Sequence, residues 1–201
     1  MRLLLCSLLS LALLLPGCVI THSPGFHSGY RRLPAAEQEK IRFLPAHAPW
    51  PATADGYLYA VTAQSLLQAL PVGETTLVYL WAPHCHGRGC ASLQGVEADC
   101  RRQGYRFQAV AEYYADLAQI KLQPPLQRPL LAINHPYYRS DYCQKYARLF
   151  QAELRQGQPL PDSLEHARYY VFQGRTFVRA LNALPGVPPQ FQPTAPLRSF
   201  H

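Results

Sequence analysis

A chain of 201 residues with 48% hydrophobic side chains can build one domain with a real core and still carry appended segments. Its formal charge is +7, but the basic residues form no block beyond Arg31-Arg32 and Arg101-Arg102. That pattern reads as solvated surface and argues against a nucleic-acid partner.

Residues 1–18 read as a leader outside the fold. Arg2 supplies the positive start, and the apolar run 3–15 has signal-peptide length and is too short to span a bilayer. The run closes on Leu15-Pro16-Gly17-Cys18, which resembles the lipobox of bacterial lipoproteins. That resemblance implies that Cys18 is lipidated, with palmitate-type chains, and becomes the new N-terminus. Several acyl chains at about 0.8 kcal/mol per buried CH₂ make a durable membrane anchor. Val19 follows the cysteine where an aspartate is the alternative, which by the same analogy favours the outer membrane. The remainder is expected to be exported into the bacterial cell envelope.

Residues 19–54 carry Pro24, Pro34, Pro45, Pro49 and Pro51 and read as a tether, with one or two helical turns within 35–43. The domain is expected over residues 55–184. Residues 57–62 alternate like a strand, and 63–70 read as a short helix ended by Pro71 and Gly73. The apolar run 77–81 is a second strand. After Pro83 come Cys85 and Cys90, separated by four residues that include Gly87 and Gly89. Residues 90–103 read as the next helix, stopped by Gly104.

A third strand is expected over 105–114, followed by a short helix over 115–122. Residues 130–134 read as a short strand. A helix over 142–155 takes Ser140-Asp141 as its capping region, with Tyr142, Tyr146, Leu149 and Leu154 as its stripe. Residues 168–172 and 176–181 flank Gln173-Gly174 as a hairpin. The Pro-rich residues 185–201 read as a tail. Helices alternating with strands give the α/β class, and the closing hairpin makes the sheet mixed.

The run Val78-Tyr79-Leu80-Trp81-Ala82-Pro83-His84-Cys85 resembles the strand and thiol motif of thioredoxin-like proteins, and the terminal hairpin resembles theirs. The resemblance covers about 120 residues and implies a thioredoxin-like three-layer sandwich with thiol–disulfide chemistry. The chain departs from the family in three places. Its dithiol spacing is Cys-x₄-Cys, Tyr79 stands where an acid is common, and His166-Ala167 stand near the place of a cis-proline.

With Cys6 in the leader and Cys18 lipidated, Cys85, Cys90, Cys100 and Cys143 remain. An even count in an exported chain points to disulfides, and four cysteines allow three connectivities. The local choice joins Cys85 to Cys90 and leaves Cys100 with Cys143 as a structural staple. On one continuous helix, residues five apart differ by about 140° around the axis, so Cys85 and Cys90 meet only if the glycines loop the chain out and back. His84, His86, Arg88 and a helix start favour a thiolate there. Cys85 is then the attacking thiol, Cys90 the resolving one, and Glu112, toward the end of the following strand, a candidate proton acceptor.

Two other readings use the same residues. One is a non-catalytic anchored binding domain with a structural Cys85–Cys90 disulfide. The other is a zinc or copper(I) site drawing on Cys85, Cys90, His86 and His135. The redox reading needs no cofactor. Its partners are the thiols of exported proteins or a redox protein, with the membrane reached through the lipid anchor.

Overall fold

The structure is a computed structural model that describes residues 25–84, 91–115 and 125–184. Seven strands form one mixed sheet: β1 (Ile41–Phe43), β2 (Leu58–Val61), β3 (Thr75–Trp81), β4 (Arg106–Ala111), β5 (Leu131–Ile133), β6 (Tyr169–Gln173) and β7 (Thr176–Leu181). Their order across the sheet is β1-β2-β5-β4-β3-β6-β7. The five strands from β1 to β3 are mutually parallel, and β6 and β7 close the sheet as an antiparallel hairpin. The α/β class and the mixed sheet with its terminal hairpin are therefore as the sequence indicates. Gly174, at φ +58, occupies the two-residue turn of that hairpin, where a positive φ suits the strand twist.

Four α-helices are described: α1 (Ala35–Gln38), α2 (Ala63–Ala69), α3 (Leu93–Arg102) and α4 (Cys143–Leu154). Alternating residues of β3 explain the layers. Val78 and Leu80 join a core that also holds Leu66 of α2 and Tyr146, Phe150 and Leu154 of α4. Leu77, Tyr79 and Trp81 join the opposite core, with Leu93, Val96 and Cys100 of α3. Both faces of the sheet are covered, which is why its central parallel strands are buried along nearly their whole length and largely apolar.

Helix boundaries follow from caps. The Thr62 hydroxyl accepts from the Ser65 N–H and starts α2; Leu70 turns extended before Pro71 and ends it. The Ser92 hydroxyl accepts from the Gly95 N–H, so α3 begins at Leu93, three residues later than the start read from Cys90. The buried face of α4 is Cys143, Tyr146, Ala147, Phe150 and Leu154. Tyr142 and Leu149, expected on that face, are exposed at 37% and 43%. Ser140-Asp141 supplies no side-chain cap to this helix, because Asp141 is engaged elsewhere.

The larger correction concerns the tether. Residues 25–54 belong to the fold. β1 extends the sheet edge, pairing Ile41 with Leu58 and Phe43 with Ala60. Ahead of it, a strap crosses the sheet's end. The Cys143 N–H donates to the Phe26 carbonyl (3.0 Å), the Ser28 N–H to the Asp141 carbonyl (2.9 Å), and the Tyr114 N–H to the Ser28 carbonyl (2.6 Å). Gly29, at φ +77, lies so close that a Cβ there would sit 2.8 Å from the Ala115 nitrogen. Prolines set the local chain direction of this segment, while distant backbone groups determine where it docks. The leader, Cys18 and the C-terminal tail lie outside the described residues, as does most of the expected helix 115–122.

Candidate active site at the C-terminal edge of the sheet

Parallel strands present their C-terminal ends together, and in open α/β sheets chemistry gathers there. Here β3 leaves the sheet through Ala82-Pro83-His84. The segment expected to carry the chemistry, residues 85–90 with Cys85, His86 and Cys90, lies outside the described residues. Its two flanks are described, and each is held by a tyrosine. The His84 N–H donates to the Tyr113 hydroxyl at 3.0 Å, with the two rings nearly parallel. On the far side, the Tyr79 hydroxyl donates to the Ala91 carbonyl at 3.0 Å and accepts from the Ala91 N–H at 3.3 Å. Tyr79 thus anchors the far flank, and its ring stacks on Tyr169 at 4.6 Å.

Glu112 follows β4 and is tied to this edge through its backbone and side chain. Its N–H donates to the Trp81 carbonyl (2.9 Å), and its carbonyl accepts from the Tyr146 hydroxyl (2.5 Å). Its carboxylate meets the Arg168 guanidinium at 3.2 Å, where the two side chains are only 14% and 25% exposed. Arg168 also donates to the Leu80 carbonyl (3.2 Å), and its own carbonyl accepts from the Leu80 N–H (2.8 Å). Glu112 is therefore a paired, half-buried carboxylate. A cavity of about 270 Å³ opens beside it, lined in part by Cys143, His166 and Arg168. Sequence reasoning missed Arg168, Tyr113 and Tyr146. The available signal was opposite charges where two apolar strand runs end and begin, at Glu112 and Arg168.

Cys100 and Cys143 do not form the expected bridge. Both are free, buried thiols. Cys100 lies in the core beneath α3 and Cys143 in the core beneath α4, with the sheet between them, so they cannot reach disulfide geometry. Burial pushes the Cys143 thiol up to about 11 and the Cys100 thiol up to about 12. Both are thiols, not thiolates, at neutral pH, and so are poor nucleophiles.

These shifts carry a prediction. Burial also raises the Tyr113 and Tyr170 hydroxyls to about 12. All four groups have folded values above their ordinary 9.0 or 10.0. The unfolded chain therefore loses these protons first, and stability is full below pH 9 and drains away as pH rises toward 12. Urea midpoints measured at pH 7, 8 and 11 are expected to be level over the first interval and to fall over the last. A flat profile to pH 11 contradicts the burial of these groups.

His135 sits at the end of β5 and is 7% exposed. Its ring is surrounded by Tyr30, Phe43, Tyr114 and Tyr146, and its Nε2 lies 3.7 Å from an Asp141 oxygen. Burial lowers its pKa, while Asp141 acts in the opposite direction. The Ser28 hydroxyl donates to the same Asp141 carboxylate, which ties His135 to the strap. Among the described residues, no three His, Cys, Asp or Glu side chains form a metal-binding group. His135 is placed in an aromatic box, while Cys85, Cys90 and His86 of the proposed metal set lie outside the described residues.

Compared with protein-family models, curated proteins and solved structures, the chain matches none. No described helix is long and apolar enough to cross a membrane.

Proposed function

We propose that the protein is a lipid-anchored, exported thiol–disulfide exchange domain of thioredoxin-like type, with Cys85 and Cys90 as its working pair. The observation that carries this reading is the pinning of both flanks of that segment. Tyr113 holds His84 and Tyr79 holds Ala91 at the C-terminal edge of the sheet, beside the Glu112–Arg168 pair. With both flanks of this six-residue segment fixed and two glycines in its sequence, closing a Cys85–Cys90 bond would cost little chain entropy.

In the reductive direction, the Cys85 thiolate attacks one sulfur of a client disulfide. The S–S bond breaks, one client thiolate leaves, and a mixed disulfide forms. The Cys90 thiolate then attacks the Cys85 sulfur, releasing the second client thiolate and leaving an 85–90 disulfide. Glu112 accepts a proton as the thiolates form. An external dithiol resets the domain, and the same steps reversed oxidise a client. Membrane attachment through Cys18 fixes this chemistry at the envelope surface, where disulfides persist.

Disulfide mapping of the full chain before and after mild dithiothreitol treatment tests the reading. The expected result is a Cys85–Cys90 bond that opens readily while Cys100 and Cys143 are thiols throughout. A bond that resists mild reduction assigns a structural role and ends the redox reading, as does the absence of any 85–90 bond under oxidising conditions.

A further inference from the structure

The opposite, N-terminal edge of the sheet holds a second concavity with chemistry that the redox reading does not use. Thr76 of β3 and Arg106 of β4 are in-register neighbours, and Gln108 lies two residues along β4 on the same face. These three polar side chains lie at the bottom of an otherwise apolar layer. Above them are Leu66, Ala69 and Leu70 of the α2 region, and Trp50 with Pro49 and Pro51 closes the side. The cavity between them measures about 170 Å³, the liquid volume of roughly six waters. Arg128, just ahead of β5, completes the wall.

Two features of this cavity are left open by the protein's own groups. Thr76 is fully buried, yet its hydroxyl has no hydrogen-bond partner among the described residues. A buried hydroxyl left unpaired costs about 1–3 kcal/mol, so it is a group awaiting a partner. Arg106 and Arg128 sit close enough for Arg106 to lower the pKa of Arg128, with burial as the larger cause. Among the described residues Arg106 pairs with one acid, Glu74 at 3.4 Å, and the same Glu74 is the acid that acts on Arg128. Gln108 spends its amide N–H groups on the carbonyls of Pro129 (2.9 Å) and Ala109 (3.2 Å), which fixes it as part of the wall. Two guanidiniums sharing one carboxylate leave a net positive charge at the mouth of an apolar slot.

We infer that this cavity binds a small organic acid. Its carboxylate sits between Arg128 and Arg106, one oxygen meets the Thr76 hydroxyl, and a short hydrocarbon body lies against Trp50, Leu66 and Leu70. Paired N–H donors of guanidinium match a carboxylate, and each such charge-assisted bond is stronger than a neutral one. The apolar walls and small volume select a compact hydrocarbon over a bare inorganic anion.

The test uses hexanoate on the ¹⁵N-labelled full chain. The sequence has two tryptophans, so the spectrum has two indole signals. Hexanoate is expected to move the Trp50 signal saturably and to leave that of Trp81, at the other end of β3, in place. Hexanamide, the same shape without charge, is expected to bind at least about tenfold more weakly. Arg128→Gln is expected to weaken hexanoate by about tenfold or more, and Thr76→Val by roughly threefold to tenfold. Equal binding of hexanoate and hexanamide overturns the inference, and that comparison stands even if a variant fails to fold. So does a Trp50 signal unmoved by hexanoate, or full affinity in a folded Arg128→Gln protein.

Discussion

Cys85→Ser is expected to reduce thiol–disulfide exchange to the uncatalysed background. Serine keeps the size of the side chain and removes the sulfur assigned to attack the client, so the productive mixed disulfide does not form. Cys90→Ser is expected to behave differently. The attacking thiol survives, the resolving step is lost, and the mixed disulfide with a client accumulates instead of turning over. Cys100→Ala and Cys143→Ala serve as controls. Their thiols are buried and protonated, on opposite faces of the sheet, and exchange should be unchanged while stability falls by the cost of an altered core. The measurement is insulin-type reduction together with trapping of mixed disulfides on a gel. Wild-type exchange by Cys85→Ser removes the catalytic assignment, and the same loss in Cys143→Ala moves it to another sulfur.

The sequence made the alternating elements legible because both faces of the sheet are covered. The run 77–81 is apolar throughout and 105–114 largely so, with Arg106, Gln108 and Glu112 as its polar exceptions, and the helical segments between them carry stops in their own residues. Pro71 and Gly104 act within a turn of the chain, so their effects can be read locally, whereas the caps Thr62 and Ser92 are seen only in the structure. β1 and the strap could not be read that way. Ile41–Phe43 is three residues long, and its partner at Leu58–Ala60 is set by register across the sheet edge. The strap depends on backbone bonds from Phe26 and Ser28 to residues more than 80 positions later.

The buried face of α4 differs from the expected stripe for a related reason. A stripe through Tyr142 and Leu149 fits helical spacing as well as the true one through Cys143, Ala147 and Phe150, and the smaller residues Cys143 and Ala147 carried less weight. Pairing Cys100 with Cys143 followed from counting, and counting cannot see that a sheet lies between them. Glu112 was found as a strand-end acid. Its partner Arg168 was missed because the two are 56 residues apart.

Arg168→Leu tests whether that distant pair organises the edge. The guanidinium joins three strands, reaching the Glu112 carboxylate beyond β4 and the Leu80 carbonyl in β3 from a position just ahead of β6. Leucine removes both bonds and leaves the Glu112 carboxylate without its counter-charge at 14% exposure. Stripping one partner from a fully buried pair costs about 3–5 kcal/mol, and the residual solvent access here lowers the expectation to about 2–3 kcal/mol. For a domain of this size each kcal/mol moves the melting temperature by about 2–4 °C, so the variant should melt roughly 4–12 °C lower. Adding Glu112→Gln should recover part of the loss, because the uncompensated charge goes with it, and the double-mutant cycle then measures the coupling. Arg168→Lys keeps the charge but loses the fork that serves carbonyl and carboxylate together, and should fall between the two. A melting temperature within 1 °C of wild type in Arg168→Leu would mean that the edge is held by the tyrosine contacts alone, and that Glu112 stands in the site as an independent base.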